Sequence, residues 1–231
     1  DFGNSFFSKF LNIYVDQSIG MPAIEVMIIS SILKQDHEVH YTRNINDEKI
    51  LDCDFIILPS SIVAHETELT TLSKLENKKI FVTGIFANTM KDKYLKKNSI
   101  VVKNESDIFF FNLNKEGKLY HEFLDNLFVN KDLINDFYSP VALDDLPFPD
   151  WFSYSKKFRL RNDFFSLKEK IAIPILATRG CPYSCFFYCT YPLQQGRKVR
   201  ARSIKNINSE IKYWQKKLGT NKFVFRDPVF S

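Results

Sequence analysis

Cys181, Cys185 and Cys189 stand within nine residues, in Cys181-Pro-Tyr-Ser-Cys185-Phe-Phe-Tyr-Cys189. The fourth cysteine, Cys53, lies far upstream. A disulfide framework would spread its cysteines along the chain. This clustering reads instead as thiolate ligation of a metal in a reducing compartment. Ligand count separates the metals. Structural zinc closes its shell with four ligands. The histidines, His37, His40, His65 and His121, are all far upstream and none has finger spacing. A [4Fe-4S] cluster held by three thiolates keeps one iron open to a substrate or cofactor. Three local cysteines without a local fourth ligand fit that arrangement best. Zinc and unliganded thiols stand as the alternatives.

Charge is concentrated around these cysteines. The whole chain is +5, but residues 179–231 carry 11 Lys+Arg against only Glu210 and Asp227, a net +9. Five of the eight arginines, Arg179, Arg197, Arg200, Arg202 and Arg226, fall there. Arg presents a planar fork that suits carboxylates and phosphates, which Lys does not. The field calls for an anionic partner, either a nucleic acid or an anionic bound cofactor. The run Arg197–Arg202 is short and joins the cysteine loop to a helix. It is read as electrostatics on the cofactor side, ahead of a solvated surface or nucleic-acid binding.

The flanking pattern predicts a strand, a loop, a helix and a second strand. Residues 171–177 form a short Ile-rich run suited to a buried parallel strand. Ile204, Ile207, Ile211, Trp214 and Leu218 then recur on one helical face. Ser203 is the expected N-cap and Gly219 the expected stop. Lys222–Arg226 reads as the second strand, ending in Asp227-Pro-Val-Phe230.

The stretch Ile173-Pro-Ile-Leu-Ala-Thr-Arg-Gly-Cys181-Pro-Tyr-Ser-Cys185 resembles the first strand and cluster loop of radical S-adenosylmethionine (SAM) enzymes. It is most similar to the branch with an N-terminal cobalamin-binding domain. The resemblance implies that Cys181, Cys185 and Cys189 hold a [4Fe-4S] cluster whose open iron chelates SAM. It further implies reductive SAM cleavage to methionine and a 5′-deoxyadenosyl radical, with methyl transfer as one outcome. A reducing donor such as flavodoxin or ferredoxin is then the expected partner, and the substrate is an unidentified small or lipid-like molecule. The family's usual spacing is CxxxCxxC. Here Phe186-Phe187-Tyr188 fills the second gap, one residue longer. Tyr188 matches the family's aromatic residue beside the SAM adenine. Arg200, Arg202 and Asp227 are the other candidate cofactor contacts; the glycine-rich motif usual near Asp227 is absent.

The first half predicts an α/β fold, a Rossmann-like doubly wound parallel sheet. Strands are expected at Phe10–Val15, His37–Tyr41, Phe55–Leu58 and Ile80–Thr83, with edge strands at Ser99–Val102 and Asp107–Phe111. Helices are expected over Ala23–Leu33, with Pro22 in the first turn, and around Leu69, Leu72 and Leu75. In element order this half resembles the cobalamin-binding domain of that branch. The nearest string to its DxHxxG, Asp16–Gly20, lacks the His. Cobalamin is therefore expected without a protein His on cobalt, against loops Asp16–Met21, Pro59–Ile62 and Gly84–Asn88. His65 is read as an exposed helix-start residue and Cys53 as a packing residue.

The expected domains are 1–115, the cobalamin-binding-like sheet; 116–168, a linker; and 169–231, the first βα units of an incomplete radical SAM barrel. Val141–Trp151 is expected to be an extended connector packed by Phe148 and Trp151. A barrel of this family has six βα units, and 50 residues follow Cys181. A fragment, inactive or nearly so on its own, is the expectation. With 45% hydrophobic and 26% charged residues, the composition argues against disorder. No stretch is apolar enough for a membrane span, and no secretory signal pattern opens the chain. A cytoplasmic location is expected. Two rivals belong to other classes: a non-catalytic cobalamin- or nucleotide-binding module, and a zinc-stabilised interaction protein.

Overall fold

A strand with apolar side chains on both sides needs cover on both faces. Three strands of this chain meet that condition in one parallel sheet, ordered β1 (Phe55–Pro59), β2 (Lys79–Thr83) and β3 (Ser99–Val101). The computed structural model describes residues 23–157, 172–185 and 189–229. The fold is mixed α/β and Rossmann-like, and no closed barrel occurs among the described residues. The expected strand Phe10–Val15 and residues Asp16–Pro22 lie outside them.

The helices follow the strands in alternation. The described elements begin with α1 (Ile24–Leu33) and the short α2 (Lys49–Asp52). The helix α3 (His65–Lys74) joins β1 to β2, while α4 (Ile85–Thr89) and α5 (Lys91–Tyr94) join β2 to β3. After β3 come α6 (Ser106–Lys115) and α7 (His121–Val129), then 3-10 turns at Lys131–Phe137 and Leu143–Asp145. Side chains alternate along the strands as the pleat demands. Phe81 and Ile100 enter one core with α1, α6 and α7; Ile80, Val82 and Val101 enter another with Leu72 and Tyr94. Phe81 sits at the centre of the first core. Its ring meets Phe55, Phe110 and Phe128 edge-on, at centroid distances of 5.6, 5.2 and 5.1 Å. Such edge contacts match the positive rim of one ring to the negative face of another.

Two expected strands are not strands. Asp107–Phe111 lies within α6, where Asp107, Ile108, Phe109, Phe110 and Leu113 are buried. A short apolar run reads equally as a strand or a buried helix, and the helix buries it between α1 and the 3-10 turn. His37–Tyr41 makes no ladder among the described residues. Val39 and Tyr41 still turn inward on alternate positions, held by core packing and by the Tyr41 hydroxyl. That hydroxyl donates to Asp150 Oδ2 at 2.7 Å, and Lys34 Nζ lies 2.5 Å from the same oxygen.

The connector is less extended than expected, because Trp151 opens α8 (Trp151–Lys157). Trp151 is fully buried and Phe148 packs beside it. They cover a second sheet, in which β4 (Ala172–Ile175) and β7 (Lys222–Phe225) pair in parallel. Between these strands run β5 (Thr178–Arg179), α9 (Tyr191–Gln195), β6 (Arg200–Ala201) and α10 (Ile204–Leu218). Ser203 caps α10 by accepting from Asn206 N, and Gly219 closes it in the left-handed region at φ 63°. Trp214 is buried and Ile207, Ile211 and Leu218 pack around it, but Ile204 is exposed at the first turn. No described helix is long and apolar enough to cross a membrane.

Phe81→Ala should lower unfolding free energy by about 3–5 kcal/mol, because it opens a cavity among three rings. Urea denaturation followed by circular dichroism measures this loss.

Candidate functional site

The cysteine loop leaves the second sheet past the C-terminal end of β4, and its base is pinned by backbone. Gly180 sits at φ +89°, and a Cβ there would lie 2.2 Å from the carbonyl oxygen of Lys198. Only glycine lets the outgoing and returning chains pass this close. Gly180 N donates to Gln195 Oε1 at 3.1 Å, and Cys181 N donates to Gly196 O at 3.1 Å. Antiparallel pairing of β5 with β6 sets Arg179 opposite Arg200. The two ends of the loop therefore leave from one small ribbon.

Cys181 is buried at the start of this loop, Cys189 is half-buried and Cys185 is exposed. All are free thiols. Among the described residues, no three His, Cys, Asp or Glu side chains are gathered as a metal site. Residues 186–188, Tyr188 included, lie outside the described set. The donor set suits an iron–sulfur cluster: three unpaired, soft sulfur ligands on one loop with a fixed base. Loading would require Cys185 and Cys189 to draw in toward Cys181.

The other predicted contacts are engaged by the chain itself. Arg202 Nη1 donates to Glu210 Oε2 at 2.5 Å and to Leu176 O at 3.1 Å, and its Nε donates to Asn206 Oδ1 at 2.8 Å. Arg200 Nη2 donates to Glu105 Oε2 at 2.5 Å and to Gln195 O at 3.1 Å. Asp227 Oδ1 accepts from Thr178 Oγ1 at 2.6 Å and from Thr178 N, tying the exits of β4 and β7 together. Its second oxygen, Oδ2, is buried with no hydrogen-bond partner among the described residues. A buried, unmatched carboxylate oxygen calls for a donor.

Beneath the loop lies an acidic junction that the sequence reading missed. Arg179 is buried and forks onto Asp107, with Nη1 2.9 Å from Oδ1 and Nη2 2.5 Å from Oδ2. Its Nη1 also reaches Glu105 Oε1 at 2.8 Å. Burial works against the arginine's charge, yet Asp107 and Glu105 hold its pKa above the ordinary value. Glu25 joins from α1. Its Oε1 accepts from Ser106 N at 2.5 Å and from the Ser106 hydroxyl, and its Oε2 accepts from Gln194 Nε2 at 2.6 Å. Two carboxylates, Glu105 and Asp107, thus meet two guanidinium groups, with Glu25 joined to them through Ser106 and Gln194. The acids Glu105 and Asp107 would have been visible as an acidic first turn had α6 been read as a helix.

At the first sheet, Pro59 ends β1 and Ser60–Ile62 follow it as the expected loop, but the expected loop Gly84–Asn88 is mostly helix: Gly84 leads from β2 straight into α4 at Ile85. Gly84 has φ +98° and a Cβ there would meet Ser60 O at 2.8 Å. Ala87 N donates to Ser60 Oγ at 2.9 Å, so the loop after β1 and the start of α4 brace each other. His65 starts α3; its Nδ1 is 2.9 Å from Ile62 O and its Nε2 2.9 Å from Glu66 Oε1. Both ring nitrogens are engaged locally. Cys53 is half-buried just ahead of β1, and its thiol donates to Ile50 O at 3.2 Å. The expected loop at Asp16–Met21 lies outside the described residues.

No family model matches the chain. Over 61 residues it is 45% identical to the bacteriochlorophyllide d C-12(1)-methyltransferase of Chlorobaculum tepidum. That stretch is 26% of this chain and 13% of the relative, so the two share a segment only.

Glu25 gives the junction a pH dependence. Burial first, then the charge of Asp107, raises its pKa from 4.5 to about 7, against opposing hydrogen bonds from Ser106 and the charge of Arg179. Between these values the folded chain holds a proton that the unfolded chain has released. Its contribution is therefore full below the unfolded value and lost as pH rises through about 7. Between pH ~5 and ~8 the urea midpoint should fall in the wild type, and fall less in Glu25→Gln.

Proposed function

We propose that this chain belongs to a radical SAM enzyme that carries a [4Fe-4S] cluster on Cys181, Cys185 and Cys189 and acts in methyl transfer. The observation that carries this reading is the set of three free thiols within nine residues, on a loop pinned past the end of a buried parallel strand. The 61-residue similarity to a methyltransferase supports the reaction class. When bound, a three-thiolate cluster supplies single electrons and an open iron at which SAM can chelate.

The chain's own residues have separate tasks in this reading. Gly180 and Gln195 hold the loop base and keep Cys181 at the strand end. Asp227 Oδ2 would accept a hydrogen bond from an N–H of the amino group of SAM, matching its unmet valence. By the resemblance, Tyr188 would be the residue to flank the adenine. Arg200 and Arg202 supply positive charge beside an anionic cluster while staying fixed by Glu105 and Glu210. A cobalamin on the first sheet would lie against Pro59–Ile62 and Gly84–Asn88, where Ile62 is exposed. An electron donor such as flavodoxin or ferredoxin belongs to the same reading.

Anaerobic reconstitution with iron and sulfide should load about four of each per chain. Cys181→Ser, Cys185→Ser and Cys189→Ser should each lower that content. One tightly bound zinc without sulfide would refute the reading in favour of a zinc-stabilised protein. In the loaded chain, Asp227→Asn should weaken SAM binding by about tenfold, the loss expected for one charge-assisted hydrogen bond. Titration calorimetry measures it, and unchanged affinity removes Asp227 from the site.

A further inference from the structure

We propose that Glu105 is a positioning residue for Cys181. Glu105 precedes α6, on the first-sheet side of the molecule, and shares its two oxygens between the two strands of the ribbon at the loop base. Oε1 takes Arg179 of β5 and Oε2 takes Arg200 of β6. Arg200 passes the constraint on, because its Nη2 also donates to Gln195 O. Gln195 in turn receives Gly180 N on its side-chain oxygen. The path from Glu105 to the residue before Cys181 is thus continuous: carboxylate, guanidinium, Gln195, Gly180.

The geometry separates this role from general stability. Arg179 has a second carboxylate in Asp107, through a two-pronged contact, so loss of Glu105 leaves that buried cation paired. Arg200 has Glu105 as its carboxylate partner and is more exposed than Arg179. Removing Glu105 therefore frees the β6 strand and Gln195 more than the core. Cys181 is 4% exposed in the intact arrangement, whereas Cys185 is exposed. Local opening of the loop base is the event that would uncover the Cys181 thiol.

The inference rests on the cluster reading only for the chemical use of Cys181. Its test needs no metal. Cluster-free full chain is pulsed with iodoacetamide under native conditions, and labelling at each cysteine is read by peptide mass spectrometry. Wild-type Cys181 should label slowly and Cys185 fast. Glu105→Gln and Arg200→Gln should each speed Cys181 labelling by about tenfold, the effect of one charge-assisted hydrogen bond on an opening equilibrium. Cys53 should label as in the wild type. The double variant should rise no further than either single one, because both break the same link. Cys181 rates within about twofold of wild type in both variants would overturn the assignment. So would a parallel rise at Cys53, or fully additive effects in the double variant. Should Glu105→Gln fail to fold, Arg200→Gln against the wild type decides. Failure of the chain to load iron would remove the cluster reading and leave this result standing.

Discussion

A guanidinium group removed from water must be met by carboxylates, and Arg179 is the place where this chain faces that demand. Desolvating an ion costs several kcal/mol, which is recovered only with close, well-aligned partners. Asp107 and Glu105 supply them from the start of α6, in the other half of the molecule. The consequence is directional. Arg179 directly precedes Gly180, so the demand for charge compensation fixes where the cysteine loop begins. The first sheet, α1 and α6 thereby help to shape a loop that they do not contain. Burial and the charge of Asp107 raise the pKa of Glu25, which eases the negative charge that it adds beside this pairing.

Legibility in the sequence followed locality. The helix α10 could be read with both caps because Ser203, Gly219 and its apolar face act within a few residues. The strand β2 could be read because both sheet faces are covered, which leaves a continuous apolar run. Asp107–Phe111 was ambiguous for the opposite reason: a buried helix also hides all its sides, and five residues do not reveal a period. His37–Tyr41 has the alternation of a strand, but His37 N is taken by Leu33 O and the Tyr41 hydroxyl by Asp150, and it joins no ladder among the described residues. The junction was out of reach. Arg179 meets Asp107 across 72 residues and Glu105 across 74, and Arg200 meets Glu105 across 95. Arginine enrichment marked the region as a receiver of anions, and the structure shows that chain carboxylates take three of those arginines, Arg179, Arg200 and Arg202.

The candidate site combines two kinds of residue. Arg200, Gln195 and Gly180 are committed to holding one another at the loop base, and Arg202 to Glu210, Asn206 and the carbonyl of Leu176. The thiols and Asp227 Oδ2 are uncommitted. That contrast gives the site its chemical sense, for a rigid frame is what lets a few unsatisfied groups face a ligand in a fixed geometry.

The pinned ribbon also bears on how the loop can vary in length. Because its stem is set at Gly180–Cys181 and Gln195–Gly196, a residue inserted between Cys185 and Cys189 lengthens a closed circuit without shifting the register of either flank. Closure entropy grows only as the logarithm of circuit length, so one extra residue adds a small fraction of a kcal/mol. Descendants could gain or lose spacing here at little thermodynamic expense, while the anchoring glycine stayed unchangeable.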